Sequence, residues 1–349
     1  MSTFDWMAAQ ADLSPVALTV RAQAISPDDR GNLSYTEFFP NREVPSVDLK
    51  DITSLDRRAA ADRREWNAPG RYIPMLTPQQ REISMVPIEA YDKIEEKEMQ
   101  KLAEGAFGNA AIIQKVIGAD IPSRVDELVR SIYRRIELDT MTAWANGYIR
   151  QYNPQQGAYY EASFGFSASR LTTAGTAWNA TASAYDAFIA WYLDASDLVG
   201  GGEGVLLRRA TLNAILEDAP DLANGVKMNI TQLATRVQQD LGEAFTFVIN
   251  ENQLDIFDDG GMAVTRTKVW PAQKVAVIPS GRMVGVIANA PVKRAMDLAN
   301  TESQAGINQN GVVVFHFESN NGKELTIEAQ KNAMPIPDEQ KVAVIDAGV

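Results

Sequence analysis

The stretch PSRVDELVRSIYRRIELDTMTAWANG, residues 122–147, decides how the rest of the chain is organised. Pro122 suits a first helical turn, where its missing N–H costs nothing, and Asp126 and Glu127 suit the positive end of a helix dipole. Val125, Leu128, Val129, Ile132, Ile136 and Ala143 recur at intervals of three and four and so share one face. Arg124, Arg130, Arg134 and Arg135 stay largely off that face. Asn146-Gly147 is a natural stop, because glycine accepts the left-handed conformation that ends helices. The spacing predicts a helix over 122–146, about 37 Å long at the standard rise, long enough to act as a spine.

Upstream of it the chain reads as extended. Within the first 65 residues, Ser26-Pro27-Asp28-Asp29-Arg30-Gly31, Phe38-Phe39-Pro40 and Val44-Pro45 break any helix and leave short extended pieces, an arm. Its apolar residues Phe4, Trp6, Phe38 and Phe39 are too irregularly spaced for a local amphipathic element. They are expected to bury themselves against the body or a neighbouring subunit. Residues 57–64, RRAAADRR, carry four arginines, and Trp66-Asn67-Ala68-Pro69-Gly70 makes a turn before Arg71 and Tyr72. Ile83, Met85 and Ile88 then lie among polar residues, with Pro87 ending any strand early. Residues 47–94 read as two extended limbs of a long charged loop, uncommon in a compact domain unless functional, and lying on a neighbour would be such a function. Asp62 interrupts the arginine run and Asp56 and Glu65 flank it, which favours salt links to an acidic patch of a neighbour over contact with DNA. The run Lys93-Ile94-Glu95-Glu96-Lys97-Glu98 reads as a solvated face, with ion pairing between subunits as its functional alternative.

Downstream the pattern is mixed. Tyr152, Tyr159, Tyr160, Phe164 and Phe166 among Gly and Ser predict short strands and turns, and residues 182–194 and 230–241 predict helices. A short buried strand is expected at 205–207, and further strands at 245–249, 254–257, 264–270 and 274–278. Residues 312–318 and 324–328 flank Ser319-Asn320-Asn321-Gly322-Lys323, a hairpin signal because Asn-Gly accepts positive φ. The fold class is therefore α+β, with the final third mainly antiparallel sheet.

Composition bounds the function. A chain of 349 residues exceeds one ordinary core, so two or more subdomains are expected. Forty-five acidic against 33 basic residues leave a net charge of −12, which disfavours a sequence-reading DNA-binding protein but suits a wall that encloses DNA without adhering to it. The absence of cysteine removes disulfides, thiolate nucleophiles and zinc-thiolate sites. The N-terminus has no basic region before an apolar core, and no apolar run is long enough to cross a bilayer, so a reducing cytoplasm and no membrane are expected.

Catalytic signals are weak. His316 is the only histidine and sits in VVVFHF, an alternating strand pattern without metal-ligand spacing. Gly200, Gly201, Gly202 and Gly204 match neither GxGxxG nor a Walker loop and read as a turn. Glu251, Asp255, Asp258 and Asp259 lack the spacing of a calcium loop, and no carboxylate pair stands out. No catalytic residue, metal or cofactor is expected.

Taken in order, the arm, the charged loop, the spine helix, the mixed subdomain and the returning antiparallel sheet resemble the Hong Kong 97-type fold of tailed-phage capsids. The chain looks most like the lambda-type major capsid protein family, major capsid protein E. The resemblance rests on Phe38-Phe39-Pro40, Arg71-Tyr72, residues 83–87, Arg134-Arg135-Ile136-Glu137-Leu138-Asp139, Phe164-Gly165-Phe166 ahead of Trp178, residues 274–279 followed by Gly281, and Pro335-Ile336-Pro337. It implies an N-terminal arm over 1–44, an extended loop over 45–94, a peripheral domain over 95–159 and 281–349 containing the spine helix, and an axial domain over 160–280. It further implies hexamers and pentamers closed into an icosahedral shell around double-stranded DNA, held without sequence-specific contact, with scaffold, portal and decoration proteins as further partners. The expected assembly residues are Phe38, Phe39, Arg57, Arg58, Arg63, Arg64, Trp66, Arg71, Tyr72, Glu95, Glu96 and Glu98. Three readings compete: an encapsulin-like compartment enclosing protein cargo, a cytoplasmic carboxylate enzyme, and a tail-tube or connector component that forms tubes or rings.

Overall fold

The structure is a computed structural model that describes residues 13–25, 35–53, 79–95, 97–98, 110–153, 158–180, 184–220, 227–257, 264–293, 308, 310–319 and 324–349. In chain order the elements are α1 (Pro15–Ala24), β1 (Asn41–Glu43), β2 (Asp48–Thr53), β3 (Gln79–Ser84), β4 (Ile88–Glu95), α2 (Ala110–Asn146), β5 (Tyr148–Asn153), β6 (Ala158–Ser163) and β7 (Leu171–Thr173). They continue as α3 (Ala184–Val199), β8 (Gly202–Leu207), α4 (Arg209–Asp218), α5 (Ile230–Leu241), β9 (Thr246–Ile249), β10 (Gln253–Phe257), β11 (Val264–Lys268) and β12 (Lys274–Pro279). The chain closes with β13 (Gly285–Ala290), β14 (Val313–Ser319), β15 (Glu324–Pro337) and β16 (Val344–Asp346).

The spine, α2, is longer than its sequence pattern predicts: it starts at Ala110 and passes through Pro122, so that 37 residues span about 55 Å. The proline removes one backbone hydrogen bond, a reason to end a helix. Here Ile121, Val125, Val129 and Ile132 are all buried on the same face, and that shared burial carries the helix across the gap. The arm also departs from expectation, because α1 is helical. Ser14 caps it by accepting from the Ala17 amide, Pro15 opens it, and Val16, Leu18 and Ala22 are buried. The helix breakers that dominate the sequence reading, from Ser26 onward, lie beyond its end.

β15 organises the first sheet. Its N-terminal half takes β14 on one edge and β4 on the other, both antiparallel; its C-terminal half takes β13, which pairs in parallel with β1. The C-terminal part of the segment expected as the loop over 45–94 is thereby a sheet strand. Residues 88–95 are a strand of this sheet, and Ile83 and Met85 are buried against Ala143, Ile149 and Phe164, because their alternating apolar side chains find a core to enter. What remains of the loop at its base is the antiparallel pair β2–β3.

The second sheet has the order β7-β16-β12-β8-β9 and is covered by α3, α4 and α5. Its strands divide their side chains between two cores. Leu206, Ala276, Ile278 and Val344 enter the first core with the spine, while Val205, Leu207, Val275, Val277 and Ile345 enter the second with Phe188, Leu233 and Phe245. Such strands read as continuous apolar runs because both faces are buried. The chain end, which the resemblance assigns to the 281–349 part of the peripheral domain, joins this sheet. β16 lies between β7 and β12, where it satisfies backbone groups that would otherwise form an open edge, so the last residues complete the second sheet. α5 matches its predicted span, with a reciprocal capping box between Asn229 and Gln232 and Gly242 at φ 74° after its last turn.

Candidate functional site

Phe38 and Phe39, expected at an assembly surface, are inside the subunit. They are 0% and 1% exposed and stand against Trp144 of the spine, with ring centroids 5.1 and 6.0 Å away. Trp144 in turn meets Trp270 edge-on at 5.5 Å. The turn carrying the two phenylalanines is fastened by its backbone: the Phe38 carbonyl accepts from the amides of Val284 at 2.9 Å and Gly285 at 3.4 Å. Gly285 permits this approach, since a methyl there would sit 2.6 Å from the Phe39 ring and 2.4 Å from the Ile336 carbonyl oxygen. Of the two burial partners open to these phenylalanines, the structure supplies the body.

The acidic run meets the spine at its other end. Arg124 donates to Asp92 at 2.7 Å, to Glu98 at 2.5 Å and to Asp120 at 2.5 Å. Partial burial works against the guanidinium charge, and the hydrogen bonds to Asp120, Asp92 and Glu98 outweigh it, holding the group more firmly protonated than a free arginine. Three carboxylates on one guanidinium leave a local surplus of negative charge. Glu98 is thus tied within the subunit; Glu95 is exposed at the end of β4, opposite Glu324. Glu96 lies outside the described residues, as do Arg57, Arg58, Arg63, Arg64, Trp66, Arg71 and Tyr72.

The remaining chemical candidates are engaged structurally. Glu251 takes Lys268, Arg208 at 3.6 Å and the Arg209 amide at 2.9 Å, and Asp255 pairs with Arg266 at 3.1 Å. Asp258 and Asp259 lie outside the described residues. His316 is half-buried on β14, opposite Ile327. Among the described residues no group of three or more His, Asp or Glu side chains could hold a metal ion, and no helix is long and apolar enough to cross a membrane. One buried cation stands out and was invisible to pattern reading: Lys331 on β15, 7% exposed, lies over the Tyr133 ring at 5.5 Å. Burial pulls its ammonium down to about 8.

Residues 31–345 match the family model described as phage major capsid protein E. The chain belongs to the phage major capsid protein E family. Solved structures agree on the fold. A prophage protein from E. coli CFT073 described as its capsid protein superposes with a TM-score of 0.57 at 13% identity, over 95% of this chain and 97% of that one. A phage-related protein from Bordetella bronchiseptica RB50 does so with a TM-score of 0.51 at 12% identity, over 96% and 97%. No curated protein sequence matches the chain at a significant level. The capsid protein therefore has the HK97-like α+β fold and a structural role as a subunit of a phage shell. Its functional site is its surface.

Proposed function

We propose that this capsid protein assembles in the host cytoplasm as hexamers and pentamers into the icosahedral shell of a tailed phage, which encloses double-stranded DNA. The division into arm (1–44), extended loop (45–94), peripheral domain (95–159 and 281–349) and axial domain (160–280) is kept for this reading. Scaffold, portal and decoration proteins are further partners in it. The observation that carries the reading is the family match, which runs through nearly the whole chain.

The physics is that of many modest contacts. Each interface need hold only weakly when every subunit makes several, because the first contact raises the effective concentration for the next. A net charge of −12 suits a wall that encloses DNA without adhering to it, since counterion release requires cations facing the phosphates. Deleting residues 57–78 tests the part given to the loop. The expected product is a soluble, folded subunit that closes no shells; normal closed particles from that deletion would remove the loop from the assembly mechanism.

A further inference from the structure

The three-stranded part of the first sheet, β14-β15-β4, buries one face and shows the other. Val314 of β14, Leu325 and Ile327 of β15 and Ile94 of β4 enter the first core, where α1 and α2 pack. The alternate residues point outward in two rows. Phe317, Thr326 and Lys93 form one row across the strands, and Phe315, Glu328 and Tyr91 form the next. Phe315 is half-buried, while Phe317 is 45% and Tyr91 64% exposed. β14 and β4 are two strand spacings apart, about 10 Å, so these aromatics share one small patch of surface. Gathered apolar surface of this kind marks a face that something covers.

The chain's own beginning leaves the body beside this face. α1 runs along the free edge of β14: Gln23 Nε2 donates to the Val312 carbonyl and the Thr19 hydroxyl to that of Val314, each at 3.2 Å. Four helical residues advance about 6.0 Å and two strand residues about 6.8 Å, so helix and strand keep step while running in opposite directions. One further step sets Pro15, the first residue of α1, level with His316 and next to Phe317. Leu13, buried in the first core, fixes that exit. Residues 1–12, MSTFDWMAAQAD, lie outside the described residues and contain Phe4, Trp6 and Met7 with only Asp5 and Asp12 as charges. Twelve residues of extended chain span up to about 40 Å, several times the width of the three strands. The charges of the face are mixed, Lys93 among Glu89, Glu95 and Glu328, and select no occupant; the aromatics and the tether do. We propose that residues 1–12 fold back over the outward face of their own sheet, with Phe4 and Trp6 laid against Phe317 and Tyr91. A tethered segment needs little intrinsic affinity, because its effective concentration at a site within reach is on the order of millimolar. The contact is made within one subunit and does not rest on the shell reading.

The absence of cysteine lets a single thiol be placed for the test. Phe317→Cys carrying a bimane fluorophore reads the contact, because an indole quenches bimane when the two touch. The emission of the labelled full-length chain is expected to be quenched, and the quenching to be lost when Trp6→Phe is added. Equal emission with and without Trp6 would overturn the proposal. So would quenching that returns when labelled Phe317→Cys/Trp6→Phe chains are mixed with an excess of the unlabelled, unmodified chain, since the face would then be covered by a second copy. Tyr91→Cys gives a readout that leaves Phe317 in place. Its alkylation by N-ethylmaleimide is expected to speed up about tenfold or more when Phe4→Ser/Trp6→Ser removes two aromatic side chains from the contact, and an unchanged rate would refute the covering.

Discussion

The two large cores of this subunit are assembled in different ways. The second draws Trp178 through Val277 from one contiguous stretch, adding only Ala343, Ile345 and Ala347 from the chain end. The first takes Leu13, Phe38 and Phe39 from the arm, Ile94 from β4, Trp144 from the spine, Trp270 and Ile287 from the returning chain and Val344 from the last strand. It is a knot of the whole sequence, and closing it costs loop entropy that the second core is largely spared. The first region also holds the buried charges found among the described residues, Glu137, Asp139, Glu328 and Lys331. The lesson is that the first core fastens the arm and the returning chain to the body, while the second is a module drawn mainly from one stretch of chain.

Truncation at the centre of each core should separate them most strongly. Trp144→Ala and Phe188→Ala are each expected to cost about 3–5 kcal/mol in denaturant unfolding, the range for an aromatic removed from a packed interior. Only Trp144→Ala should free the arm under native conditions, seen as faster tryptic cleavage at the exposed Arg42 on β1. Equal acceleration in both variants would erase the distinction between fastening core and module.

The buried charge of the first region gives the next effect. Lys331 has its pKa lowered to about 8 by burial from an ordinary 10.5. Below about pH 8 the ammonium is charged in both folded and unfolded chains and its desolvation weakens the fold; between about 8 and 10.5 the unfolded chain binds the extra proton, so stability rises with pH. Lys331→Met is expected to stabilise the protein at pH 7 by on the order of 1–3 kcal/mol, with the advantage fading as pH passes from 8 to 10.5. A constant offset across that window would show that the lysine is not desolvated.

Backbone approaches sharpen the comparison on a smaller scale. Gly285 sits beneath the Phe39 ring in the first region, and Gly204 faces β9 in the second, where an added methyl would lie 2.1 Å from the Thr246 carbonyl oxygen. Alanine at either should cost about 1–3 kcal/mol by overpacking. Gly285→Ala alone should also hasten cleavage at Arg42. The smallest effect belongs to Thr19 of α1, whose hydroxyl donates to the Val314 carbonyl at 3.2 Å and accepts from its amide at 3.1 Å. It thereby covers the outer edge of β14, and Thr19→Val is expected to lose about 1 kcal/mol, read by the same unfolding curves.

The contrast between the cores also explains what the sequence could reveal. Within the module, elements carry their own signals: α5 has its capping box and terminal glycine, and the runs around 205–207 and 274–278 are apolar because both faces are buried. The α+β class and the order of elements follow from such local patterns and from the family resemblance. The fastening core is long-range and carries no local signature. Nothing near Phe38 indicates Trp144, and Pro122 reads as a helix start because the burial of Ile121 that carries the helix through it depends on β-strands two hundred residues away in the chain. Of the assembly residues, Glu98 belongs to a run that reads as a solvated face or as ion pairing between subunits; Asp120 meets Arg124 through i,i+4 helix geometry, while Asp92 reaches it from β4, a long-range contact without local signature.

The central claim is that this molecule acts through closed assembly, and electron microscopy of the expressed, purified chain tests it most directly. The account predicts closed icosahedral particles built from the unmodified protein. Tubes or open rings as the only assemblies, or a chain that stays monomeric at concentrations where phage shells form, would contradict it.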